Sequence, residues 1–76
     1  MQAFQRITFD PQVMGGQACI RGMRITAARI IRLIANGMTR EEIAAEYPDL
    51  EPEDIQAALS YAAWLASDHV HEDRAA

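Results

Sequence analysis

Arg21-Gly22-Met23-Arg24 sets two guanidinium groups on either side of a glycine. Arginine carries five donors in a flat fork, which matches a carboxylate or a phosphate through two parallel hydrogen bonds. Gly22-Met23 lies between two short β-like runs, residues 18–21 and 24–26. A Gly-x pair in that position suits a tight type II′ hairpin. Such a hairpin would hold both forks toward a partner, so Arg21 and Arg24 are candidate contact residues. The plain alternative is solvation, or pairing with an acid of the same chain. The chemistry expected is docking, not bond making.

A second pair of arginines is set by helical spacing. After Thr26, the residues Ala27, Ile30, Ile31 and Ile34 share one face of a helical wheel, and Arg29, Arg32 and Asn36 fall on the opposite face. Arg29 and Arg32 are therefore candidates for contact with a partner or with nucleic acid. Catalytic inventory is poor. There is no Ser–His–Asp set and no nucleotide fingerprint around Gly15-Gly16. His69 and His71, beside Asp68, Glu72 and Asp73, lie in a polar tail without a supporting fold, which makes a weak metal site. Neither an enzyme, a cofactor nor a metal is expected.

The elements that must position these groups are short. The chain has 76 residues, enough for one domain, with residues 1–67 as its body and 68–76 as a flexible polar tail. Residues 6–9 alternate as a strand, ended by Asp10-Pro11. Glycines at 15, 16, 22 and 37 (Gly15, Gly16, Gly22, Gly37) mark turns. Thr26 caps a first helix of about ten residues, which Asn36-Gly37 stops. Thr39-Arg40-Glu41-Glu42 is a capping box for a second helix, with Ile43, Ala44 and Tyr47 inward and Pro48 as its stop. A third helix opens at Pro52 and runs to about Ser67.

That third helix is apolar over most of its circumference, with only Gln56 and Ser60 polar between Ile55 and Ala66. A helix of that kind is a buried helix. So short a chain has little to surround it, so a homodimer is expected, with Tyr61, Trp64 and Leu65 at the dimer or partner interface. The alternative leaves Trp64 on the surface.

Net charge is -4, but it is divided. Residues 1–40 hold six arginines against Asp10, and residues 41–76 hold Arg74 against ten acids. Lysine is absent. Such asymmetry suggests a basic surface for an acidic partner and a separate acidic surface. A GC-rich genome would also favour arginine over lysine. Cys19 is the sole cysteine, and no run is apolar enough for a signal peptide or membrane span. A cytoplasmic protein with no membrane association is expected.

Three short helices after a small β element resemble a helix-turn-helix domain, homeodomain-like or winged, with a small N-terminal β-hairpin. A more specific resemblance runs along the chain. It is carried by Arg6-Ile7-Thr8, Asp10-Pro11, Met14-Gly15-Gly16, Cys19-Ile20-Arg21-Gly22 and Arg24-Ile25-Thr26, then by Asn36-Gly37-Met38-Thr39, Tyr47-Pro48 and Glu53-Asp54-Ile55. This string resembles the bacterial DUF433 family over roughly residues 6–65. The resemblance implies a small VapB-like antitoxin of a type II toxin–antitoxin pair. Its implied partner is a PIN-like ribonuclease toxin, and the complex is implied to repress its own promoter DNA. The alternative is a stand-alone DNA-binding regulator. One departure concerns the third helix, where Thr or Ser is expected as the cap and this chain has Glu51. Asp49 is the alternative cap.

Overall fold

The computed structural model describes residues 5–75, with side chains over residues 5–67. The order is β1 (Ile7–Phe9), β2 (Ala18–Ile20), α1 (Ala27–Ala35), α2 (Arg40–Glu46) and α3 (Pro52–Ala75). The fold is mainly helical, three helices with a two-stranded antiparallel sheet. No helix among the described residues is long and apolar enough to cross a membrane.

Local chemistry sets the helix starts. Thr26 accepts the Arg29 N–H through its hydroxyl. Thr39 and Glu42 exchange both bonds of a capping box, Glu42 N–H to Thr39 at 3.1 Å and Thr39 N–H to Glu42 at 2.8 Å. Each satisfies donors that the first helical turn leaves without partners. At the end of α1, Gly37 adopts φ 95°, a left-handed stop. Ile20, Ile30, Ile43 and Ile55 then meet in one core with Ala57 and Ala58, all essentially inaccessible to water.

The sheet differs from the expected hairpin. β2 pairs with β1, in the register Ile7↔Ile20 and Phe9↔Ala18. The second arm of the expected hairpin shrinks to a single bridge, Cys19↔Thr26, with Ile20 N–H donating to Ile25 C=O. Its turn is also shifted by one residue. Met23 N–H closes on Ile20 C=O at 2.8 Å, and the two central residues are Arg21 (φ 46°) and Gly22 (φ 74°). Positive φ at both marks a type I′ turn rather than type II′, and its twist matches that of paired strands. Thr8 anchors the turn to β1, accepting the Gly22 N–H at 2.8 Å. Gly22→Val should therefore cost roughly 1 kcal/mol or more, because a β-branched residue resists the left-handed region. A thermal melt unchanged by that substitution would place the strain elsewhere.

The third helix extends past the expected end near Ser67. The tail expected over residues 68–76, with His69 and His71, lies outside the described side chains. Its expected all-round burial is confined to the first turns. Asp54, Ile55, Ala57 and Ala58 are buried, whereas Trp64 and Leu65 are 44% and 38% exposed.

Candidate functional site

The acidic start of α3 organises the arginines. Asp54 is the one charged side chain described as fully buried, and both of its oxygens are occupied. Arg21 approaches it fork-on, Nε to Oδ1 at 3.0 Å and Nη2 to Oδ2 at 2.8 Å. Arg6 Nη1 reaches Oδ1 at 2.8 Å and Glu51 at 2.7 Å. The Glu51 backbone N–H adds a further bond to Oδ2 at 2.8 Å. Asp54 is the third residue of α3, so this last bond is the reciprocal half of a capping box. Arg21 also donates to the carbonyl of Asp49 at 2.9 Å.

The electrostatics follow from this geometry. Burial pushes the Asp54 carboxyl up, but the Arg21 fork, the Glu51 N–H and Arg6 outweigh it, and the pKa falls to about 2. Arg6 is raised by its bonds to Glu51 and then Asp54, and Arg21 is raised by Asp54. Two arginines and two acids thus form a structural clasp between the N-terminal strand region and α3.

The clasp corrects two readings. Arg21 does not project its fork from the hairpin; the turn aims it inward, at an acid 33 residues away. The start of α3 needs no side-chain cap from Glu51 or Asp49, because Asp54 holds it from within. Arg6 pairs within its own chain, with Glu51 and Asp54. Arg40 donates to Gln56 at 3.1 Å.

The remaining candidates face outward. Arg24, Arg29 and Arg32 are exposed. The side chains of Arg24 and Arg32 make no hydrogen bond or ion pair with any described residue. Arg29 Nε donates to the Tyr47 hydroxyl at 3.1 Å, and its two terminal nitrogens have no hydrogen-bond partner among the described residues. Arg24 and Arg29 line a groove of about 260 Å³ with Met14, Ile25, Thr26 and Tyr47. Sequence reasoning missed Met14 and Tyr47. The signal for Met14 is its place before two glycines; Tyr47 packs against the core as expected, and its hydroxyl also reaches Arg29.

The aromatic candidates form a second surface. Phe9, 60% exposed, meets Tyr61 edge-on at 6.1 Å, and Tyr61 stacks with Trp64 at 6.3 Å. Leu65 adjoins Trp64 in sequence. Among the described residues no group of three His, Cys, Asp or Glu side chains is placed to hold a metal.

A family model described as a protein of unknown function, DUF433, matches residues 7–62. The chain belongs to the DUF433 family. A crystal structure of a DUF433 member protein from Anabaena variabilis is similar to it, with 35% sequence identity and a TM-score of 0.76. That likeness covers 93% of this chain and 71% of the other. Among curated proteins none matches. The DUF433 match spans the clasp residues Arg21, Glu51 and Asp54 and the groove residues alike.

Proposed function

We propose that this protein acts by binding, as an antitoxin that silences a PIN-like ribonuclease and represses its own promoter. The observation that carries the reading is the exposed arginine set Arg24, Arg29 and Arg32, left over after the clasp has taken Arg6 and Arg21. Nucleases of this kind gather carboxylates around a metal, and an arginine fork answers a carboxylate through two bonds. On this reading the three helices serve as a helix-turn-helix, and the protein works in the cytoplasm as a homodimer.

RNA cleavage by the product of the neighbouring gene, titrated with antitoxin variants, tests the proposal. Wild-type protein should abolish cleavage. Arg24→Ala should raise the concentration needed by on the order of tenfold or more, since it leaves a carboxylate unpaired in the interface. Arg24→Lys should recover part of the loss, because a point charge cannot reproduce the fork. Wild-type protein that never inhibits would end the antitoxin reading.

The homodimer rests on Trp64, Leu65 and Phe9, large apolar groups left exposed along α3 and β1. Sedimentation equilibrium should show a dimer at micromolar concentration, and Trp64→Glu should shift it toward monomer. A wild-type monomer across that range would refute it.

One observation favours a stand-alone DNA-binding regulator as the second reading. Two of the acids at the start of α3, Glu51 and Asp54, are neutralised by Arg6 and Arg21, which removes repulsion of phosphates there. Promoter binding with a steep salt dependence, by a protein that never inhibits cleavage, would mark this reading.

A further inference from the structure

We propose that the groove lined by Met14, Arg24, Ile25, Arg29 and Tyr47 receives one acidic side chain with an apolar one beside it, from a segment of a protein partner. The inference rests on the binding reading above, but not on the partner being a nuclease.

Three observations carry it. The first is composition. Arg24 and Arg29 converge on a groove whose other walls are Met14, Ile25 and the Tyr47 ring. Charge and apolar surface side by side fit an occupant that is itself divided, a carboxylate beside an apolar side chain. Arg29 is restrained for this role, because the Tyr47 hydroxyl accepts from its Nε at 3.1 Å. A fork held in advance loses less freedom on binding.

Size and charge decide between classes of occupant. At about 260 Å³ the groove is smaller than the cavities that enclose a free cofactor, roughly 300–1,000 Å³, so it suits one or two side chains. Glu46 lies close enough to Arg29 to raise its pKa, after the larger effect of the Tyr47 hydrogen bond. Glu42 is exposed one turn earlier on the same short helix. A nucleic-acid strand carries a charge at every unit and would meet those acids. A single carboxylate senses mainly the two arginines beside it.

The third observation is strain. Met14, Gly15 and Gly16 adopt φ of 51°, 67° and 84° in succession. The glycines take this region freely, but methionine does so at a cost. Backbone in such regions clusters at binding sites. Here it places the flexible, polarisable Met14 side chain in the groove wall, 37% exposed, where it can adapt to an apolar visitor.

The test is NMR on the full chain, following the Met14 methyl, the Tyr47 ring and the Arg24 and Arg29 Nε–H signals. The probes are acetyl-aspartyl-leucyl-glycinamide, its asparaginyl analogue, inorganic phosphate and a single-stranded oligonucleotide. The acidic peptide should shift all four groups saturably, and the asparaginyl analogue should bind at least fivefold more weakly. Arg24→Ala and Arg29→Ala should each weaken the peptide at least fivefold, with the Ile30 and Ile43 methyl signals unmoved. Met14→Gly, which relieves the strain, should leave the melting temperature unchanged or higher yet weaken the peptide severalfold. Equal binding of the asparaginyl analogue, tighter binding of phosphate or the oligonucleotide, or shifts outside the groove would overturn the proposal. A peptide that binds as expected beside a wild-type protein that never inhibits cleavage would uphold the groove and sink only the antitoxin reading.

Discussion

Asp54→Ala is expected to destabilise the fold by about 3–5 kcal/mol, the range for breaking a buried ion pair by removing one partner. The side chain is fully buried, and its loss strips two arginines and the Glu51 N–H of their acceptor. Arg6 and Arg21 are about one-third exposed, so each can turn to water, which favours the lower end of that range. Asp54→Asn keeps an acceptor for Glu51 but removes the charge, so it should fall between the variant and the wild type. Acid should reproduce the effect. The folded pKa of Asp54 is lowered to about 2, from 3.8. Its stabilisation is therefore present above the unfolded value and disappears as pH falls from about 4 to 2. Chemical denaturation at pH 7 and at pH 2 measures both effects. The gap between wild type and Asp54→Asn should be wide at pH 7 and narrow at pH 2. An equal gap at both values would show that packing, not charge, holds the clasp.

Ile30→Ala is expected to cost about 2–5 kcal/mol. Ile30 is fully buried on the inner face of α1, within the core that also holds Ile20, Ile43 and Ile55. Truncation removes three carbons and leaves a cavity that short, capped helices cannot easily collapse. A domain of this length has roughly 4–11 kcal/mol in total, at 0.05–0.15 kcal/mol per residue. The melting temperature should drop by about 10 °C or more, given roughly 4–8 °C per kcal/mol in small domains. Ile30→Val, which loses one methylene, should cost about 0.5–1.5 kcal/mol. A melt of Ile30→Ala indistinguishable from that of Ile30→Val would mean the core is loosely packed at this position.

What the sequence made legible was local. The Thr26 cap, the Thr39–Glu42 box, the Gly37 stop and the opening of α3 at Pro52 each depend on residues within four positions of one another. The strand at 6–9 was visible by alternation and is described as Ile7–Phe9. The run at 18–21 was visible too and is β2, Ala18–Ile20. Its pairing with β1 was not, because that pairing spans a loop whose turns leave no periodic signal. Placement of the hairpin turn missed by one residue for a related reason. Gly22 could occupy either central position, and only the long-range bond from Thr8 and the reach of Arg21 to Asp54 select the one adopted. The groove was half visible. Arg24 and Arg29 were singled out as charges, while the loop that brings Met14 beside them depends on tertiary closure.

The clasp has a consequence for time as well as for energy. It joins residues 33 and 48 positions apart, whereas the helix caps join residues three apart. Contacts between distant parts of a chain carry the full entropy of closing the loop between them, and they form after local structure is in place. An interaction absent from the folding transition state does not set how quickly the chain reaches its native form. It sets how slowly the chain leaves it. Asp54→Ala is therefore expected to speed unfolding more than it slows refolding, and Thr39→Ala the reverse, in denaturant-jump kinetics.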